Sequence, residues 1–252
     1  IKKIGALSFA GLTGCSGGFN IPYPVEFCDS SLFNCWAPTI TLGDRLTTIG
    51  NDAFRSTAVK RVIMPNTVTT IGSRFLANSR QLDSLRLSPN ITEIPVMGLS
   101  WVNCRYIIIP YGVKKINSQA FMSDQATVSS NDVLAEPVRE NVVVIPSSVT
   151  TISSSAFKYA RHLDAIFLNV PYGVFTSTRN DWQRRTDYNA DNAYDWDGHL
   201  LFVPQEHLAA YQSQDAGIRA VFQEQIWVRA GAFDFYRGSD LWTTPYRMTV
   251  TD

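Results

Sequence analysis

The sequence predicts a β-rich repeat solenoid with short helical turns, a parallel sheet and a C-terminal cap. Three observations predict it. An anchor residue, usually isoleucine, recurs at Ile4, Cys28, Ile49, Ile71, Ile94, Ile116 and Ile152, in steps of 24, 21, 22, 23, 22 and 36 residues. Nine residues ahead of all but the first anchor begins an apolar–x–apolar triplet: Phe19-Asn20-Ile21, Ile40-Thr41-Leu42, Val62-Ile63-Met64, Leu85-Arg86-Leu87, Ile107-Ile108-Ile109 and Val143-Val144-Ile145. Proline follows the triplet directly at Pro22, Pro65, Pro110 and Pro146. A fixed period with a fixed internal offset marks a stack of like units.

Each unit has a physical reading. The triplet alternates inward and outward, as a short strand must. Proline donates no N–H, so it stands where the ladder stops and the chain turns. Three residues before each anchor lies another apolar residue (Val25, Leu46, Val68, Ile91, Val113, Val149), with polar pairs such as Thr47-Thr48 and Lys114-Lys115 between. This makes a second short edge, apolar at its ends and wet in the middle. A turn such as Gly50-Asn51-Asp52-Ala53-Phe54 then returns the chain, its aromatic filling the space between coils. No unit buries its own apolar edge, so coils stack and neighbouring strands pair in parallel.

These units, apolar-x-Ile-Pro followed by Val-x-x-Ile-Gly-x-x-Ala-Phe, resemble the BspA-like leucine-rich repeats of bacterial surface proteins over approximately residues 1–217. The resemblance implies a leucine-rich-repeat, right-handed coil of about eight turns. Proline replaces the inward asparagine of the general leucine-rich pattern. Ser73-Arg74-Phe75-Leu76 has Phe-Leu where Ala-Phe is usual, and Cys28 replaces an anchor isoleucine.

Along the chain, residues 122–141 form a polar insertion, read as a surface excursion because longer loops add little closure entropy. Ile166-Phe167-Leu168 and Leu201-Phe202-Val203 read as further strands. A short cap helix is expected near 205–212, after Pro204 and with Leu208 and Tyr211 on one side. Residues 218–252, rich in aromatics, are expected to form a β-rich extension on the array end. The chain begins at Ile1 in mid-repeat with no leader, which reads as a removed signal or an excised segment lacking an upstream cap.

Charge excludes one large class of partner. Twenty-two basic residues balance 22 acidic ones, without a local basic cluster, so no nucleic-acid partner is expected. Apolar runs of a few residues, such as Ile107-Ile108-Ile109, are too short to span a membrane. No nucleophile elbow, zinc helix or phosphate loop appears, so no catalytic residue, metal site or cofactor is expected. Cys28 and Cys104 read as buried thiols. Cys15 and Cys35 fall in turns of neighbouring coils, where a bridge and two free thiols both stay open. Asp187-Tyr188-Asn189-Ala190-Asp191-Asn192 has the alternating oxygens of a calcium loop but not its glycine or final glutamate, and reads as a solvated loop. Asn90-Ile91-Thr92 is a formal glycosylation sequon, without meaning in a bacterial protein.

Binding without a reaction is the function expected. The resemblance implies an extracellular or bacterial-surface protein that adheres to a protein or glycoprotein partner, in host matrix or on another bacterium, through the sheet face. Within that face the outward residues Ile63, Arg86, Ile108, Val144, Phe167 and Phe202 are the expected binding residues, since the stripe turns apolar toward the C-terminal half. Cover by the insertion or the extension is the competing expectation for the same stripe. The alternative function is a carbohydrate-binding module that uses Trp182, Trp196, Trp227 or Trp242.

Overall fold

A computed structural model of the chain describes residues 3–4, 11, 19–21, 26–27, 39–122, 141–158, 160, 163, 165–174, 199–213, 226–233 and 248–250. In chain order the strands begin β1 (Lys3–Ile4), β2 (Phe19–Ile21), β3 (Glu26–Phe27), β4 (Thr39–Leu42), β5 (Thr48–Ile49) and β6 (Arg61–Ile63). They continue as β7 (Thr70–Ile71), β8 (Ser84–Arg86), β9 (Glu93–Ile94), β10 (Tyr106–Ile108), β11 (Lys115–Ile116) and β12 (Val142–Ile145). Then come β13 (Thr151–Ile152), β14 (Ala165–Leu168), β15 (His199–Val203), helix α1 (Gln205–Ser213), β16 (Ile226–Phe233) and β17 (Met248–Val250).

The triplets and the anchors build two separate sides of a solenoid. Triplet strands pair in parallel as β2-β4-β6-β8 and again as β10-β12-β14-β15-β16, with β17 antiparallel on β16. Register follows the repeat: Ile40 faces Val62, Val62 faces Leu85, Ile107 faces Val143, and Ile166 faces Leu201. Anchor strands pair as β1-β3-β5-β7 and as β9-β11-β13. On that side Phe27, not Cys28, takes the anchor register, opposite both Ile4 and Ile49. A one-residue slip would turn the strand's side chains to the other face. The anchor offset in this coil is therefore eight residues, and Cys28 lies outside the described residues, as do Cys15 and Cys35.

The corner between the two sides is a turn that proline starts. The carbonyl of Pro65 accepts from Val68 N–H at 3.1 Å, that of Pro110 from Val113 at 3.0 Å, and that of Pro146 from Val149 at 3.2 Å. Proline loses nothing there because its carbonyl, not its absent N–H, closes the turn.

A third side joins coil to coil without regular strands. Phe54 N–H donates to Phe75 C=O at 2.7 Å, Leu76 to Gly98 at 3.2 Å, Leu99 to Ala120 at 2.9 Å and Phe121 to Ala156 at 2.9 Å. On either side of this position lie residues in the left-handed region, at Asp52, Arg74, Met97 and Gln119 and again at Ser56, Asn78 and Trp101, with φ between 52° and 62°. Their N–H groups also reach the next coil, as in Asp52 to Ser73 and Asn78 to Ser100, both at 2.8 Å. Each such non-glycine residue costs about 1 kcal/mol or more of backbone strain, offset by the inter-coil bond it allows.

One proline explains where the anchor ladder stops. The residue after the anchor normally donates to the anchor of the preceding coil: Gly72 to Ile49 at 2.8 Å, Asn117 to Ile94 at 3.0 Å and Ser153 to Ile116 at 2.9 Å. After Ile94 that residue is Pro95, which has no N–H, and β7 and β9 are unpaired. The coil holding β8 and β9 thus pairs backward through β8 and forward through β9. At Gly72 the coils approach so closely that a Cβ would fall 2.4 Å from Asn51 N, which requires glycine there.

Between the three sides lies one continuous apolar core. The anchors Ile49, Ile71, Ile94, Ile116 and Ile152 are buried, as are Phe54, Phe121 and Phe157. Phe75 and Leu76 are also buried, so the Phe-Leu exchange keeps the apolar contact. Thr57 and Ser79, buried hydroxyls 22 residues apart, bond to each other at 3.1 Å and both donate to Phe54 C=O. Phe121 stacks on Phe157 at 4.9 Å across the insertion. Residues 123–140 of that insertion lie outside the described residues, while its ends, Met122 and Asn141, are buried within the coil frame.

Pro204 precedes α1, whose Tyr211 is buried and donates its hydroxyl to Val170 C=O at 2.9 Å. Burial pushes the Tyr211 hydroxyl pKa well above the ordinary tyrosine range. Phe121→Ala should therefore lower stability in chemical denaturation by about 3–5 kcal/mol, through lost burial and a cavity between coils. A loss below about 1 kcal/mol would contradict the stacked-coil packing.

Candidate binding face

Period two sends alternate residues of each triplet strand away from the core, and the parallel register lines them up from coil to coil. Two outward rows result. One holds Thr39, Arg61, Ser84 and Tyr106, and the other Thr41, Ile63, Arg86 and Ile108. Ile63 is 41% exposed and Tyr106 44%, both large apolar groups in water. Arg86 and Ile108 are half-buried.

The second row continues through Val144, Phe167 and Phe202, and there the face changes character. These three are buried, at 7%, 3% and 5% exposure, and form an apolar cluster with Val142 apart from the main core. Phe167 and Phe202 stack at 4.3 Å with rings 8° from parallel. The expectation of one open stripe from Ile63 to Phe202 is corrected here. Ile63, Arg86 and Ile108 stand on open sheet, whereas Val144, Phe167 and Phe202 lie inside the protein. A strip of large apolar groups lowers its free energy by leaving water, about 1.5–3 kcal/mol for each side chain.

Arg61, Tyr106 and Arg105 belong to the open region but are not among the triplet middles. The signal for them was available: a residue two before a triplet's middle points the same way. The Arg105 guanidinium lies over the Tyr106 ring, 5.2 Å from its centroid. The anchor side presents Thr70, Glu93, Lys115 and Thr151, all exposed. It is wet along its described length.

Electrostatic order is concentrated on the third side. Arg74 grips Asp52 in the next coil with two bonds, Nε to Oδ1 at 2.8 Å and Nη2 to Oδ2 at 2.7 Å, and Arg55 adds one at 3.2 Å. The Arg74 guanidinium holds the buried Asp52 carboxyl below the ordinary aspartate range, and Asp52 in turn raises Arg74. This fork staples one coil to the next.

Reactive groups are few on the open face. The Cys104 thiol is buried and free and donates to Tyr106 C=O at 3.4 Å. Among the described residues no cluster of histidine, cysteine and carboxylate could hold a metal ion. The 187–192 loop, Trp182, Trp196 and Trp242 lie outside the described residues, and Trp227 is described only as part of β16.

The repeat can now be compared with known families. The sequence profile of the BspA type Leucine rich repeat region matches in six copies over residues 2–127 and 139–177. The chain belongs to the BspA-type leucine-rich repeat family. A comparison with curated proteins finds no match. Among solved structures the chain is similar to the pneumococcal vaccine antigen PcpA, with 17% identity, TM-score 0.45, and 67% of this chain and 51% of that one covered. It is also similar to a leucine-rich repeat protein of T. pallidum, with 24% identity, TM-score 0.40, and 53% and 57% covered. A leucine-rich repeat protein from Bacteroides ovatus gives 14% identity and TM-score 0.44, with 90% and 58% covered. This chain thus spans a little over half the length of each. The family is typically associated with bacterial surfaces, and this BspA-type chain is a surface-type repeat protein. No helix among the described residues is long and apolar enough to cross a membrane.

Two outcomes test this geometry. Asp52 has a lowered pKa when folded, so its contribution is present above the unfolded value near 3.8 and fades as pH falls through the folded value. Asp52→Asn should cost about 1.5–3 kcal/mol at neutral pH, with the gap from wild type closing below about pH 4 in denaturation titrations. Val144→Glu should lower stability by several kcal/mol because its carboxylate enters an apolar cluster, whereas Ile63→Glu should change the melting temperature little. Equal melting temperatures for the two variants would contradict the division of the face.

Proposed function

We propose that this chain is a non-catalytic binding region of a secreted or surface-exposed bacterial protein. It holds a protein or glycoprotein partner, in host matrix or on another bacterium, against the open half of the long sheet. Ile63, Arg86 and Ile108 are the binding residues this reading keeps from the sequence, and Tyr106 joins them. Val144, Phe167 and Phe202 act instead as support, fixing the sheet behind the open rows.

The exposure of Ile63 and Tyr106 on a flat, regularly spaced sheet carries this reading. Large apolar groups that stay in water while their neighbours on the same face are covered mark the part of a surface left for a partner. Extended solenoid faces also suit macromolecules better than small ligands.

The purified chain should be tested on immobilised extracellular-matrix proteins and on intact bacteria, with Ile63→Glu/Ile108→Glu beside a control pair on the other side, Thr70→Glu/Thr151→Glu. The first pair should weaken capture at least about tenfold and the control should not, with melting temperatures close to wild type. Capture lost only in the control pair would move the site to the anchor side and overturn the proposal.

A further inference from the structure

The charge on the open face does not follow the neutrality of the whole chain. Lys60, Arg61 and Arg105 are exposed there and Arg86 is half-buried, against one exposed acid, Asp83, beside the same strands. The chain as a whole carries 22 basic and 22 acidic residues, so positive charge is segregated onto this region. The apolar residues Ile63, Tyr106 and Ile108 are interleaved with it rather than set apart.

We infer that the partner seated here presents an acidic polypeptide segment with apolar or aromatic side chains among its carboxylates. This rests on the reading of the open sheet as the binding face and names the chemistry of its occupant. Arginine forks fit carboxylates with two parallel hydrogen bonds. Arg61 and Arg86 stand on neighbouring strands, offset by two residues, because Ile63 faces Arg86 in the register. Such diagonal positions are about 7–8 Å apart, close to the roughly 6.8 Å between alternate side chains of an extended chain. Two carboxylates at alternate positions of an extended segment therefore match the two guanidinium groups. Ile63 and Ile108 offer apolar area on either side of Arg86, and the Arg105–Tyr106 pair offers a flat face to an aromatic ring. A sulfated glycan would satisfy the arginines but leave this apolar area in contact with water.

The test uses the intact chain and three defined probes in fluorescence anisotropy. They are a short labelled peptide with glutamates, leucine and tyrosine on one extended face, the same peptide with glutamines for glutamates, and heparin as a polyanion without apolar groups. The acidic peptide should bind at least about tenfold more tightly than its glutamine counterpart, and added salt should weaken it. Arg61→Glu/Arg105→Glu should lose that preference and gain affinity for a lysine version of the peptide, with an unchanged circular-dichroism melt. Ile63→Ser should weaken the acidic peptide without weakening heparin. Equal binding of the glutamate and glutamine peptides, no binding of the acidic peptide, or a preference for heparin indifferent to Ile63→Ser would overturn the inference. Partner capture that depends on Ile63 and Ile108 but survives both arginine reversals would remove the charge inference and leave the binding face. Capture independent of all four residues would remove both.

Discussion

Everything in this fold depends on backbone hydrogen bonds that pass from one coil to the next at a step of about 22 residues. On the triplet side they form a parallel sheet, and on the anchor side two-residue strands. On the third side they run between turn residues such as Phe54 and Phe75. The apolar core follows from this spacing. Once coils sit a strand's width apart, each anchor isoleucine and each turn phenylalanine is packed against its counterpart above and below. The Asp52–Arg74 fork and the Thr57–Ser79 pair use the same step with polar groups, so they reinforce a register already set by the backbone.

The repeat was legible because period and offset are properties of order along the chain, and the buried anchors and phenylalanines follow from them. What escaped was information that lies between coils. Cys28 looked like an anchor by counting, yet the ladder places Phe27 there, since a coil can absorb a one-residue slip in its loop. The left-handed turn positions carry Arg74, Met97, Trp101 and Gln119, residues with no intrinsic preference for that conformation, so nothing in their identity announced it. Pro95 was visible, but its effect was not, because a missing donor matters only once its acceptor, Ile71 C=O, is known.

The outward face shows the same limit in the candidate site. Alternation correctly gave which side Ile63, Ile108, Val144 and Phe167 point to. It could not say that Val144 and Phe167 are covered while Ile63 is not, because cover comes from other parts of the chain. The result is a solenoid with one wet side, one stapled side and one side divided between a buried apolar cluster and an open, basic and apolar patch. A surface-type repeat protein of the BspA family needs only such a patch to act as a binding region, since the rigid stack holds its side chains at fixed spacing.

Residue-resolved amide hydrogen exchange under native conditions tests the central claim most directly, at the N–H groups of Phe54, Leu76, Leu99 and Phe121 on the strandless third side. If inter-coil bonds organise the whole stack, these four amides exchange as slowly as Met64 and Ile109, which donate across the triplet side. Exchange of the four at the rate of an unprotected chain, beside slow exchange at Met64 and Ile109, would contradict the account and leave a sheet with loops in place of a three-sided solenoid.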